Sequence, residues 1–112
     1  MSHSIDDDFE LKVFEPIFKT VEQALINALG YDIELLKLKN NSPLVAYPRM
    51  IFSYLCIEKG IPHKLVGKKI KRDRTTILSQ LQSYNRYYGN DKTFTLMANV
   101  VIKCLKEIEY GK

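Results

Sequence analysis

Seven consecutive residues, Lys71-Arg72-Asp73-Arg74-Thr75-Thr76-Ile77, set three cations, a carboxylate and two threonines at the junction of two helical patterns. Asp is a favoured N-cap, because its carboxylate accepts hydrogen bonds from the unpaired N–H groups of the first turn. Residues that follow such a cap stand at the tip of a helix. A helix tip of this kind can enter the DNA major groove. There Arg makes paired hydrogen bonds to guanine, and Thr donates, accepts, or lays its methyl against that of thymine. On this reading Asp73, Arg74, Thr75 and Thr76 are the candidate base-contacting residues. The plain alternative is a charged inter-helix turn with a good cap.

Charge along the chain bears on the choice, with a solvated basic surface as the plain alternative here too. The 112 residues carry a net charge of +4, but residues 1–36 hold two Lys against eight Asp and Glu, whereas residues 37–74 hold ten Lys and Arg against Glu58 and Asp73. A basic middle beside an acidic beginning is the footprint of a polyanion-binding face, since phosphate neutralisation releases condensed counterions. We expect Lys37, Lys39, Arg49, Lys64, Lys68, Lys69, Arg72 and Arg74 on one face, with Lys37, Lys39, Arg49, Lys64, Lys68 and Arg72 against the DNA backbone.

Helical periodicity must position these groups, because no stretch alternates apolar and polar residues over a strand length. Ile17, Val21, Leu25, Ala28 and Leu29 form a stripe closed by Gly30, and a short helix follows at Asp32 to Leu36 with Asp32 as cap. Lys37 to Pro48 reads as a basic surface loop, with Pro48 near the start of a helix through Lys59. Pro62 opens a helix over His63 to Ile70 that turns Leu65, Val66 and Ile70 inward and Lys64, Lys68 and Lys69 outward. The next helix, from Arg74, puts Ile77, Leu78, Leu81, Tyr84 and Tyr88 at core spacing and leaves Thr75, Thr76, Ser79 and Gln80 toward solvent. A last helix, Thr93 to Glu109, presents Phe94, Met97, Ala98, Val101, Leu105 and Ile108 to the core. The expected fold is all-α, with residues 1–12 an acidic, partly ordered lead-in and residues 13–112 one helical domain.

Other chemistry finds little support. Cys56 and Cys104 each lie on an apolar helical stripe and read as reduced core thiols, and two distant cysteines with His3 and His63 make no metal-ligand spacing. No metal and no cofactor are expected. Ser79, His63 and Asp73 could be drawn into a triad on paper, but no nucleophile elbow supports it, so no enzyme is expected. No apolar run approaches the roughly 20 residues of a bilayer span, and the acidic start lacks a signal peptide's cationic n-region, so we expect a cytoplasmic protein with no membrane partner.

Val66-Gly67, then Arg72-Asp73-Arg74-Thr75-Thr76-Ile77-Leu78, with Pro48-Arg49 ahead of a long helix, resemble the C-terminal DNA-binding domain (domain IV) of the bacterial replication initiator DnaA. The resemblance runs from about Val21 to Ile108. It implies a Trp-repressor-like helical fold in which a helix-turn-helix enters the major groove and the basic loop lies near the minor groove. It also implies base contacts from Asp73, Arg74, Thr75 and Thr76, phosphate contacts from Arg49, Lys64 and Arg72, and a function related to replication-origin recognition on double-stranded DNA. Three positions depart from the family. Arg74 stands where the family has His, a permanent cation in place of a titratable ring. The turn from Gly67 to Arg72 is one residue shorter and lacks the family's glycines, and the minor-groove arginine position falls near Asn41, leaving Lys37 and Lys39 as the nearest cations. No G-x-x-x-x-G-K-[ST] loop is present, so no nucleotide is expected, and the chain resembles a stand-alone domain such as a mobile element or bacterial accessory factor encodes. The competing expectation is a protein-interaction module or regulator that keeps this fold without origin-box recognition. It would dock another replication or regulatory protein through the acidic first 36 residues or through Tyr84, Tyr87 and Tyr88.

Overall fold

In a computed structural model of the chain, described here for residues 2–111 in the backbone and from Asp8 to Gly111 in the side chains, six helices and no strands are found among the described residues. They are α1 (Ser2–Leu29), α2 (Ile33–Leu36), α3 (Pro43–Glu58), α4 (His63–Ile70), α5 (Arg74–Tyr87) and α6 (Lys92–Tyr110). The fold is all-α, as the periodicity predicts. The backbone of residues 2–12 continues α1 as helix, so the acidic lead-in and the apolar stripe share one element; the side chains of residues 1–7 lie outside the described residues.

An eight-residue helix such as α4 is marginal alone, because nucleation costs more than so few hydrogen bonds return. Tertiary burial makes up the difference. Leu65, Val66 and Ile70 of α4 are fully buried against Phe18, Val21 and Leu25 of α1, Ile51, Phe52 and Leu55 of α3, and Ile77 of α5 in one continuous core. Each such side chain contributes about 1.5–3 kcal/mol. Phe18 and Phe52 stack with ring centroids 6.2 Å apart, joining α1 to α3. On the far side α6 adds Phe94, Ala98, Val101 and Leu105 and packs most extensively against α1.

One boundary and one buried face differ from expectation. Helix α3 begins at Pro43 rather than near Pro48, which leaves a loop of residues 37–42. Ser42 takes the extended N-cap conformation and Pro43 fills the first helical position, where a missing N–H costs nothing. Pro48 sits inside α3, buried, and removes the N–H that would pair with the carbonyl of Leu44, a residue exposed at the helix surface. In α5 Ile77 and Tyr84 are buried as expected and Gln80 joins them, whereas Leu78 is 39 % exposed and Tyr88, at the C-cap, 40 % exposed.

Candidate functional site

Asp73 caps α5 as expected. Its backbone is extended and Oδ1 accepts a 2.7 Å hydrogen bond from the Thr76 N–H. That N–H, and then the Thr76 hydroxyl, hold the carboxyl below its ordinary range. The cap leaves Arg74 and Thr75 exposed in the first turn and keeps Thr76 half-buried beside it. Helical spacing continues the outer face through Leu78, Ser79 and Gln82, all exposed. Gln80 points inward, contrary to expectation. It is 8 % exposed, and its Oε1 accepts a 2.6 Å hydrogen bond from Ser53 Oγ of α3, which satisfies a polar group that burial would otherwise penalise.

Between α4 and α5 the chain turns in three residues, Lys71, Arg72 and Asp73. Lys71 adopts the left-handed conformation (φ 57°, ψ 49°), which glycine usually takes at a helix end. The Arg72 N–H donates to the Gly67 carbonyl at 2.8 Å, and a Cβ on Gly67 would collide with the Arg72 carbonyl oxygen. Gly67 is therefore what lets the turn fold back onto α4.

Two arginines fasten the basic loop to this turn. Arg49, 4 % exposed, donates from Nε to the Leu36 carbonyl (3.0 Å) and from Nη2 to those of Leu38 (2.5 Å) and Asn40 (3.0 Å). Arg72 donates from Nη2 to Leu38 (2.6 Å) and from Nη1 to Lys37 (3.3 Å), so both guanidiniums meet the same loop. Neither has a carboxylate partner within 4 Å among the described residues. Burial, then the charge of Arg72, pulls the Arg49 pKa down. Arg49 thus acts on backbone carbonyls of the loop in this structure. A groove of about 270 Å³ opens between α3 and α5, lined by Asn41 of the loop, Ala46, Arg49 and Met50 of α3, Arg72 of the turn, and Thr76, Ser79, Gln80 and Ser83 of α5, with no carboxylate among them. In the loop Lys39 is exposed, while Lys37 pairs with Glu34 at 2.9 Å.

The cations of α4 divide between two directions. Lys64 shares a cleft of about 230 Å³ with Pro62, His63 and Arg74, which brings the first turns of α4 and α5 together, and Lys68 is exposed. Lys69 turns away. Its Nζ is 3.1 Å from Glu15 and 3.7 Å from Glu22 of α1 and lies over the Phe18 ring, 5.2 Å from its centroid. The expected single face therefore loses Lys69, because the stem of a lysine at that helical position covers apolar core on the α1 side.

Sequence reasoning missed Leu78 and Ser83. Leu78 follows Thr75 by three and Arg74 by four, spacing that already sets it beside the tip, but its apolar character assigned it to the core. Tyr84, 4 % exposed, stacks on Tyr54 at 3.7 Å between centroids, and Tyr87 packs edge-on to Phe94, so these two rings belong to the packing of α3, α5 and α6. Among the described residues no group of three His, Cys, Asp or Glu could hold a metal, and no helix is long and apolar enough to cross a membrane. No protein-family model, no curated protein and no solved structure matches this chain.

Proposed function

We propose that this chain binds double-stranded DNA in the cytoplasm, with α5 as the recognition helix of a helix-turn-helix, α4 crossing the backbone and the loop of residues 37–42 alongside. One observation carries the reading: a capped helix tip with Arg74 and Thr75 exposed stands beside a loop fastened by two arginines that have no carboxylate partner among the described residues. Guanidiniums whose partners are neutral carbonyls keep their full positive charge and favour an anion nearby, and a duplex offers one every few ångströms. Asp73, Arg74, Thr75 and Thr76 are the proposed base-reading group, with Leu78 added for apolar contact to a thymine methyl. Lys37, Lys39, Lys64, Lys68 and Arg72 are the proposed backbone contacts; Arg49 serves chiefly by holding the loop. The likeness to the DnaA C-terminal domain points the proposal toward origin-type recognition, with Arg74 altering the preferred base.

Binding of a random duplex at low salt, falling steeply as salt rises, is the first expected result. Lys68→Ala should flatten the log–log salt slope by roughly 0.9 for the lost phosphate contact. Arg74→His should change the preferred base selected from random duplexes. Equal weakening on all sequences would reduce Arg74 to a phosphate contact, and no retardation of any duplex would overturn the proposal. In that event the protein-interaction reading stands, resting on Phe9 and Val13, 68 % and 55 % exposed one turn apart on α1.

A further inference from the structure

The acidic beginning of the chain and the basic helix α4 are separate charge blocks in sequence and neighbours in space. Lys69 is clamped between Glu15 and Glu22, with its side chain only 22 % exposed, and this clamp ties α4 to α1. Burial leaves Glu22 Oε2 without a hydrogen bond and raises the Glu22 pKa, so the clamp closes on a half-buried cation on one side and core on the other. Further toward the N-terminus of α1, Glu10 comes within 3.9 Å of Lys64, both exposed (42 % and 54 %). Lys64 also borders the cleft it shares with Arg74. One lysine therefore stands between an internal carboxylate and the place where a phosphate would lie.

We propose that the N-terminal half of α1 is an internal phosphate competitor: Glu10, on the helix that the Lys69 clamp ties to α4, takes the Lys64 ammonium that would otherwise meet a nucleic-acid phosphate, and so weakens sequence-independent binding. The inference rests on the DNA-binding reading above. The contact suits competition because it is weak. An exposed pair is screened by salt and holds two flexible side chains, so a phosphate displaces Glu10 readily while the less exposed clamp at Lys69 stays closed. Base contacts from Arg74 and Thr75 are unaffected, since neither is among the α1 pairs.

The test compares Glu10→Gln with Glu107→Gln, the same charge change on the exposed face of α6, by fluorescence anisotropy on a short random duplex across a salt series. Far-UV circular dichroism checks that both remain helical. Glu10→Gln should tighten binding up to about fivefold and steepen the salt slope by up to roughly 0.9; Glu107→Gln should do neither to the same extent. The excess gain should vanish in a Lys64→Ala background. If the wild type binds DNA and the two Gln variants bind alike, the competitor is overturned and the DNA reading survives. If no variant binds a duplex, the DNA reading fails, and retention on immobilised heparin, a polyanion without bases, then decides the competition. Later elution of Glu10→Gln than of Glu107→Gln supports it, and coincident elution overturns it.

Discussion

Replacing Gly67 with Ala separates the geometry of the α4–α5 turn from ordinary helix propensity, because the two predict opposite signs. Gly inside a helix costs about 1 kcal/mol relative to Ala, so propensity alone makes Gly67→Ala stabilising. The structure reverses this. A Cβ at position 67 would overlap the Arg72 carbonyl oxygen and lie 3.5 Å from Ile77 Cγ1. The obstructing atom is backbone and cannot swing aside, so the turn must move off α4. Overpacking of this kind costs about 1–3 kcal/mol. Moving the turn also stretches the 2.8 Å bond from the Arg72 N–H to the Gly67 carbonyl, worth about 0.5–1.5 kcal/mol net. Against the propensity gain, the balance is a loss of about 1–3 kcal/mol, within the range of single core mutations. Urea unfolding followed by circular dichroism measures it as a lower midpoint at unchanged slope. On the proposed DNA-binding reading, duplex affinity should fall further than stability alone explains, since Asp73 and the α5 tip ride on the same turn. A neutral or raised midpoint would refute the close approach.

Lys71→Gly removes the strain of a left-handed lysine, about 1 kcal/mol, and gives part of it back as unfolded-chain entropy, so thermal denaturation should show unchanged or slightly raised stability, and a clear loss would contradict the φ of 57°. Arg49→Met should destabilise by about 1–3 kcal/mol and speed amide exchange through residues 37–42, because three carbonyl hydrogen bonds are lost; unchanged exchange there would show that the loop holds itself. The Asp73 carboxyl is held below its unfolded value, so its contribution is present above about pH 4 and is lost as pH falls through the folded pKa. Asp73→Asn, which keeps an N-cap but cannot titrate, should therefore lose less stability than the wild type on acidification, and parallel acid profiles would exclude the cap as a contributor. Cys56 is fully buried with its thiol pKa raised by burial, whereas Cys104 is only partly covered; native thiol labelling should reach Cys104 about ten times faster or more, and equal rates would contradict the packing of α3.

Local signals in the sequence were sufficient wherever one residue type decides one backbone state. Asp32 and Asp73 cap helices where their short carboxylates can reach the first-turn N–H groups, and α4 spans His63–Ile70 because its apolar residues recur at helical spacing between Pro62 and a basic end. Pro48 misled because a proline is compatible with a helix start but does not require one, and a second proline at position 43 met that condition six residues after Lys37. Leu78 and Gln80 exchanged their expected places because the inward arc of α5 is set by what faces it. Ser53 of α3 offers Gln80 a hydrogen-bond partner, while nothing buries Leu78.

Composition and spacing by themselves determined the helical class, the placement of α4 and α5, the capped tip bearing Arg74 and Thr75, and the split of charge along the chain, since each depends on residues close together in sequence. Only the tertiary structure decided where the cations point. Arg49 and Arg72 turn onto loop carbonyls 9 to 35 residues away, and Lys69 turns onto Glu15, 54 residues away. A long side chain can reach several partners at little conformational cost, so its choice is made by whichever unpaired carbonyl or carboxylate the packed helices bring within hydrogen-bond distance, and no local pattern encodes that distance.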